Sequence, residues 1–343
     1  MRRVRVYETG DLRRLIVEDG PDPEPRPGEV RIDVEAAGVN FADLVVRLGL
    51  YPSARKYGGY PITPGFEVAG TVSAVGSGVG RFRTGDSVIG ITRFGGYASR
   101  VCVPETQALL RPKGLNVFEA AGFPVAFLTA WYAVRELFRI RPGRRVLVHS
   151  AAGGVGGALV QLCKHYGCFV VGVVGSSHKV ETARALGADV VIDKSRTSLW
   201  PAVDRAAGDG FHVVLDANGA ETLREGYRRL CPTGRLVIYG FHSMLPRGSA
   251  KVNWLKAALD WLRTPRFDPF AMTDANRSVL AFNLSYLFDE ITIFEEALAE
   301  LVPELERGVL RPLPVTQVPF EDVREAHRML HSGTSVGKVV LAV

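Results

Sequence analysis

Residues 145–162 read RVLVHSAAGGVGGALVQL, a short apolar run that passes through a glycine-rich turn into a segment of helix length. Glycines let a backbone approach a phosphate closely, and the first turn of a helix offers unpaired N–H groups and the positive end of its dipole. The stretch therefore predicts a strand, a phosphate-binding turn and a helix, with Ala152, Gly153, Gly154 and Val155 at the phosphate. A turn that only permits tight packing is the alternative.

The segments after this turn repeat the alternation of strand and helix. Strand-like runs occur at 169–174, 189–192, 211–215 and 235–239, with helix-length segments such as 179–186 and 221–230 between them. These runs are apolar on both faces, which is typical of a parallel sheet covered by helices. The sequence therefore predicts an α/β fold with a doubly wound parallel sheet of the Rossmann type.

The first hundred residues have a different pattern. Apolar and charged residues alternate at 2–7 and 30–35, and short segments of this kind, separated by glycine and proline turns, continue to about residue 104. Such a pattern predicts a compact antiparallel barrel or sandwich. A last apolar run at 338–343 needs a partner strand, and we expect the first domain to supply it. The α/β domain, 123–288, would then be inserted into a barrel domain formed by 1–122 and completed by 289–343.

Composition excludes several classes of protein. The 343 residues include 42 Lys+Arg and 36 Asp+Glu, a net charge of +6, and the basic residues occur in scattered pairs without a long run. This pattern argues against a nucleic-acid partner. The four cysteines are too few and too far apart for a disulfide framework, and no apolar signal-peptide core follows Met1. We expect a cytoplasmic protein.

The end of the second α/β strand indicates which dinucleotide binds. In NAD-binding domains an acidic residue about twenty positions after the glycine turn holds the ribose hydroxyls. Here Val174 is followed by Gly175-Ser176-Ser177-His178-Lys179, without an acid. Small hydroxyls and a lysine leave room for a 2′-phosphate and neutralise its charge. The sequence therefore predicts NADP(H), bound by Ser176 and Lys179; a helix cap at Ser176 and a solvated Lys179 are the alternative.

Ordered motifs occur along the whole chain. They are AGVNFAD (37–43), RLGLYP (47–52), PGFEVAGTV (64–72), GDSV (85–88), AAGGVG (151–156) and VGKVVL (336–341). In this combination the chain resembles the zinc-free quinone oxidoreductase division of the medium-chain dehydrogenase/reductase superfamily, in particular the vesicle amine transport protein-like branch. The resemblance implies a GroES-like β-barrel domain, a Rossmann domain, an active site in the cleft between them, and homodimers built through the Rossmann domain.

The resemblance also bears on metal binding. Zinc-containing members of the superfamily carry a cysteine where this chain has the Gly38-Val39-Asn40 turn, and a histidine where it has Phe66. Zinc needs converging thiolate, imidazole or carboxylate ligands, so we expect no metal. Without zinc, hydrogen-bond donors must polarise the carbonyl. The predicted reaction is hydride transfer from NADPH to a quinone or an α,β-unsaturated carbonyl compound.

Two residues are candidates for that chemistry. Asn40 can donate a hydrogen bond through its amide, and Tyr51 carries a phenol suited to proton donation. The resemblance places both in the loop region that floors the nicotinamide pocket. A turn residue at Asn40 and a pocket-lining aromatic at Tyr51 are the alternatives. We expect Asp43 to orient the Asn40 loop without entering the reaction.

Further residues are candidates for cofactor binding. The resemblance assigns Thr129 to the nicotinamide ribose and Lys338, on the C-terminal strand, to the cofactor. Tyr239 and Phe241 follow a predicted Rossmann strand, and ligands gather at the carboxyl ends of parallel strands. A buried helix threonine and a solvated lysine are the alternatives at positions 129 and 338.

Two further expectations concern the chain as a binding surface. Residues 252–263 have helical periodicity, with Val252, Leu255, Leu259 and Leu262 on an apolar face and Asp260 on the polar face. We expect the apolar face to pack on its own subunit or on a dimer partner. A membrane-surface helix is the less favoured alternative. The competing function is a catalytically weak nucleotide-binding protein that acts in membrane or lipid association.

Overall fold

The computed structural model describes residues 1–245 and 254–343. The strands are β1 (Arg2–Arg5), β2 (Ile16–Asp19), β3 (Glu29–Val39), β4 (Glu67–Val75), β5 (Ser87–Ile91), β6 (Arg100–Pro104), β7 (Ala108–Leu110), β8 (Arg145–His149), β9 (Phe169–Val174), β10 (Val190–Asp193), β11 (Phe211–Asp216), β12 (Leu230–Ile238), β13 (Ser278–Ala281), β14 (Val315–Pro319) and β15 (Lys338–Ala342). The helices are α1 (Phe41–Arg47), α2 (Pro52–Tyr57), α3 (Val117–Ala121), α4 (Pro124–Trp131), α5 (Gly154–His165), α6 (Val180–Ala185), α7 (Leu199–Ala207), α8 (Leu223–Arg228), α9 (Trp254–Arg263), α10 (Pro269–Asp274), α11 (Ile291–Glu306) and α12 (Val323–Ser332).

The described residues form two compact units. One comprises 1–128 and 285–343, and the other comprises 129–245 and 254–284. Along the described residues, the segments of the second unit therefore lie between the two segments of the first.

The second unit contains a parallel sheet in the order β10-β9-β8-β11-β12-β13. Every neighbouring pair is parallel, and the order reverses between β8 and β11, as in a Rossmann sheet. Helices connect the first strands, and side chains such as Leu147, Val171 and Leu236 are fully buried in its core. The α/β class predicted from the sequence is confirmed.

The first unit contains a seven-stranded sheet in the order β14-β15-β3-β4-β5-β7, with β6 also paired to β3. The pairing of β3 with β4 and of β4 with β5 is antiparallel. The C-terminal strand β15 pairs antiparallel with β3, so the expectation that the first domain hosts it is confirmed. Its core includes Val30, Ile32 and Val68.

Helix α9 differs from the sequence prediction in its orientation. Asp260, expected on the polar face, is buried, whereas Leu255 is 80% exposed and Leu262 is 67% exposed. The prediction that the apolar face packs on its own subunit is therefore wrong for the described residues of α9. Val252, Asn253 and the side chains of Trp254 and Lys256 lie outside the described part of the chain.

Candidate functional site

The turn that the sequence predicts to bind phosphate lies between β8 and α5. Ser150 adopts left-handed backbone geometry with φ 57°, and Gly153 N–H donates to Ser150 O at 2.9 Å. Gly153 is the N-cap of α5, and no described side chain caps that end. The first N–H groups of a helix have no partner within the helix, so Gly154 and Val155 present donors suited to a pyrophosphate.

Close packing explains the glycine and alanine pattern of this turn. A Cβ atom on Gly156 would lie 2.1 Å from Ser150 O, so only glycine allows α5 to begin against the turn. Ala151 stands where the usual fingerprint has its first glycine. Its methyl group has room because Gly172 of β9 lies opposite, where a Cβ atom would be 2.8 Å from Ala151 Cβ.

The carboxyl end of β9 brings together the residues predicted for the 2′-phosphate and one more. Ser176 and Lys179 follow this strand and are half-buried. Burial and the neighbouring Lys194 ammonium lower the pKa of Lys179. Lys194 follows β10, and its Cε atom would lie 3.8 Å from a Cβ atom on Gly175. Two lysines therefore flank the end of β9.

Sequence reasoning missed Lys194 because it considered the end of one strand only. Neighbouring parallel strands end at the same edge of a sheet, so the residue after the next strand was the available signal. The structure pairs Asp193 of β10 with Val174 of β9. The Asp193 carboxylate accepts hydrogen bonds from Ser177 Oγ at 2.6 Å and from Ser195 Oγ at 2.6 Å.

A buried polar group lies at the carboxyl ends of β8, β11 and β12. His149 Nε2 is 3.8 Å from Asp216 Oδ2, and Asp216 Oδ1 accepts from the N–H groups of Asn218 and Gly219 at 2.7 and 3.1 Å. Within the described chain, both ring nitrogens of His149 and the Tyr239 hydroxyl have no hydrogen-bond partner. Orphaned buried polar atoms at this edge are consistent with a polar ligand.

The other predicted cofactor residues differ in exposure. Thr129 is buried in α4, and Phe241 is half exposed, with its ring against Gly219. Both belong to the second unit, together with the phosphate-binding turn.

The remaining predicted residues lie in the first unit, where Asn40 and Lys338 are in direct contact. Lys338 Nζ donates to Asn40 Oδ1 at 2.6 Å, to Glu67 Oε1 at 2.7 Å and to Val39 O at 3.3 Å. Asn40 Nδ2 donates to Glu67 Oε1 at 2.9 Å. Sequence reasoning missed Glu67, which joins the two predicted residues into one buried network.

Asp43 holds the Asn40 turn, as expected from the sequence. Its carboxylate accepts from the Asn40 N–H at 2.8 Å and from the Gly65 N–H at 2.8 Å, so it ties the turn before α1 to the turn before β4. Burial raises the pKa of Asp43 to about 7, although these two hydrogen bonds and one from Tyr97 act in the opposite direction.

This pKa predicts a pH-dependent stability. The pKa of folded Asp43, about 7, lies above its ordinary value of 3.8, so its contribution is fully present below about pH 4 and is lost as the pH rises to about 7. Relative to Asp43→Asn, the wild-type free energy of unfolding should fall over this range by a few kcal/mol, because a tenfold change in proton affinity corresponds to about 1.4 kcal/mol. Urea unfolding of both proteins at several pH values measures the difference. A difference that does not change with pH would contradict the expectation.

Tyr51 lies at the start of α2 and packs on Phe66. The two rings are 5.9 Å apart at 71°, and Phe66 also contacts Phe94 at 5.4 Å. Phe66 is buried in the apolar core of this unit.

The position where zinc-containing relatives carry a histidine is thus part of an aromatic cluster. The described residues contain no group of three His, Cys, Asp or Glu side chains that could hold a metal.

Comparison with known proteins identifies the family. A model of the alcohol dehydrogenase GroES-like domain matches residues 26–113, and a zinc-binding dehydrogenase model matches residues 186–341. The synaptic vesicle membrane protein VAT-1 homolog of Mus musculus is 35% identical over 319 residues, which cover 93% of this chain and 77% of the mouse protein. The chain belongs to the quinone oxidoreductase-like division of the medium-chain dehydrogenase/reductase superfamily, in its VAT-1-like branch.

Solved structures of other members of this superfamily have the same fold. The structure of Escherichia coli quinone oxidoreductase complexed with NADPH has a TM-score of 0.86 and 27% identity, covering 100% of both chains. The CurK enoyl reductase has a TM-score of 0.84 and 30% identity, covering 99% of this chain and 98% of the other. The family predicted from the sequence is confirmed, and it is a family of oxidoreductases.

Proposed function

We propose that this VAT-1-like protein is an NADPH-dependent, zinc-independent reductase of quinones or α,β-unsaturated carbonyl compounds. The observation that carries the proposal is the second unit's phosphate-binding turn, together with Ser176, Lys179 and Lys194 at the end of β9. NADP(H) is the cofactor, since a 2′-phosphate matches the two ammonium groups, whereas the neutral 2′-hydroxyl of NADH would leave them without a counter-charge. The related E. coli enzyme was solved with NADPH.

Hydrogen-bond donors of the chain then replace a metal. When bound, NADPH supplies a hydride to the β-carbon of the acceptor. Asn40 donates from its amide to the acceptor's carbonyl oxygen, where negative charge develops. Tyr51 supplies the proton that completes the reduction. The aromatic surroundings of Phe66 favour an apolar acceptor at this place.

Steady-state turnover tests this proposal. NADPH and NADH should be compared at equal concentration on a panel of quinones and a panel of enones, with zinc measured by elemental analysis. We expect turnover with NADPH, little with NADH, and full activity in zinc-free protein. Equal use of both cofactors would contradict the 2′-phosphate site, and stoichiometric zinc would contradict the metal-free mechanism.

A nucleotide-binding protein with little catalysis is the second candidate. It is favoured by the name of the mouse relative, a synaptic vesicle membrane protein, and by the exposed apolar side chains of α9 and α10. No helix of the described residues is long and apolar enough to cross a membrane. NADPH binding without consumption on either panel would favour this candidate.

The same surface supports the proposed homodimer. β13 is an edge strand of the parallel sheet, and Trp261 and Phe270 nearby in sequence are 63% and 83% exposed. An exposed apolar surface of this kind is typical of an interface. We propose that the dimer contact lies on the second unit. We also propose that the protein is cytoplasmic, where its four cysteines would remain free thiols.

Replacing Leu255 and Leu262 together by serine tests the dimer surface. We expect wild-type protein to have the mass of a dimer by light scattering and the variant to be a monomer, because the contact loses its apolar area. Leu110→Ser, an exposed leucine of the other unit, is the matched control and should remain a dimer. If the variant stays dimeric but loses binding to anionic vesicles at low salt, the surface binds membranes instead.

A further inference from the structure

Asn40, Glu67 and Lys338 come from three neighbouring strands of the first unit. Asn40 follows the end of β3, and Glu67 and Lys338 begin the antiparallel neighbours β4 and β15, so all three lie at one end of the sheet. Three hydrogen bonds of 2.6, 2.7 and 2.9 Å join each of these side chains to the other two. The sheet therefore fixes an ion pair against the amide that the proposed reaction uses.

This ion pair is buried. Glu67 is 0% exposed, Lys338 3% and Asn40 8%. The free energy needed to remove two charges from water is about as large as the free energy gained from their attraction in the interior. Well-packed apolar residues at such buried positions therefore often stabilise a protein equally well. Stability alone is therefore a poor reason for a charged pair at this position, and its effect on Asn40 must be considered.

The ion pair fixes the orientation of the Asn40 amide. An ammonium group can only donate hydrogen bonds and a carboxylate can only accept them. Asn40 Oδ1 must therefore face Lys338, and Nδ2 must face Glu67, as the distances show. One N–H of the amide is used on Glu67, and the second remains as a donor. The ammonium on Oδ1 polarises the amide, which strengthens that donor.

Glu67 is itself held in place. Its second oxygen, Oε2, accepts the Val125 N–H at 2.7 Å, in the first turn of α4. The backbone of β3 packs against Oε1 so closely that a Cβ atom on Gly38 would lie 2.4 Å from it. The carboxylate cannot turn away from Asn40 without moving a helix or a strand.

We infer that Glu67 and Lys338 are positioning residues that lock the Asn40 amide as a hydrogen-bond donor to the substrate carbonyl. The inference rests on the proposed function, which assigns that carbonyl to Asn40. Glu67 also neutralises Lys338, so the ammonium can polarise the amide without leaving a net charge in the core.

A double-mutant cycle of Glu67→Gln, Lys338→Met and the combined variant separates positioning from stability. Each single change leaves a buried unpaired charge or an unmatched donor, so both should unfold more readily in urea. The combined variant should regain stability, because no charge is left. We expect its kcat to remain at least about tenfold low with KM little changed, since the interaction lost acts in the transition state. Wild-type kcat in a stable combined variant would overturn the inference.

The side-chain amide of Asn40 gives a readout that does not depend on turnover. In protein labelled with ¹⁵N-asparagine, its resonances are assigned by their loss in Asn40→Ala. We expect two separate Nδ2 proton signals, one shifted downfield by Glu67, and loss of that shift in the combined variant. Unchanged Asn40 signals in the combined variant would overturn the inference. This result does not depend on activity, so it is distinguishable from failure of the proposed function, in which wild-type protein reduces no acceptor. Wild-type turnover in Asn40→Ala would overturn the inference and the role assigned to Asn40, while the reductase activity itself would stand.

Discussion

Replacing Tyr51 by phenylalanine should lower kcat about 100-fold while NADPH affinity stays unchanged. A positioned proton donor typically contributes about 10²–10⁴-fold to the rate and acts mainly in the transition state. The phenylalanine ring retains the contact with Phe66, so the change removes the hydroxyl and little else. Single-turnover kinetics and fluorescence titration with NADPH measure the two quantities separately.

The matched control is Tyr7→Phe in the same unit. The Tyr7 hydroxyl donates to Glu18 Oε2 at 2.7 Å, and Tyr7 is more than half exposed and belongs to the β1–β2 region. Its kcat should equal that of the wild type. If Tyr51→Phe keeps kcat within about twofold on every accepted enone, Tyr51 is a lining residue. A larger loss in Asn40→Ala would then make amide polarisation the dominant contribution.

Removing both lysines at the end of β9, Lys179→Ala with Lys194→Ala, should weaken NADPH binding about 100-fold and leave NADH binding unchanged. Each single change should cost about tenfold, because a charge-assisted hydrogen bond contributes about 1.5–3 kcal/mol and both side chains are partly screened by solvent. Calorimetric titration with both cofactors measures the effect. The loss should shrink as salt increases.

Lys164→Ala is the control for this pair. Lys164 Nζ donates to Cys168 O and Asp189, which precede β9 and β10, so this lysine lies at the opposite ends of the same two strands. NADPH affinity should not change. Equal weakening of NADPH and NADH in the double variant would show that the lysines support the fold of the site and do not select the phosphate.

Local patterns predict the parts of this protein that depend on neighbouring residues in the chain. The phosphate-binding turn is such a part, because a strand, a glycine turn and a helix are all specified within 145–162. The placement of β15 in the first domain was also predictable, since an apolar run at the end of the chain needs a partner, but its pairing with β3 was not. The contact of Lys338 with Glu67, 271 residues away, required the register of three strands.

Periodicity likewise has a limit at α9. The spacing of Leu255, Leu259 and Leu262 predicts an amphipathic helix correctly. The spacing does not determine which face of α9 packs against the rest of the chain, because that also depends on what else the apolar face binds. In the structure, Asp260 faces inward and the leucines face outward. Lys194 was missed for a related reason, since its approach to Lys179 arises from the pairing of β9 with β10.

The proposed function depends on hydride transfer from NADPH to the acceptor, and transfer of an isotope label measures this step. NADPH carrying deuterium stereospecifically at C4 is incubated with an accepted enone, and the product is examined by NMR and mass spectrometry. The mechanism predicts that one C4 epimer delivers a single deuterium to the β-carbon, while the α-carbon receives a proton from the protein or solvent. NADPH that binds and is released without deuterium in any product would contradict it.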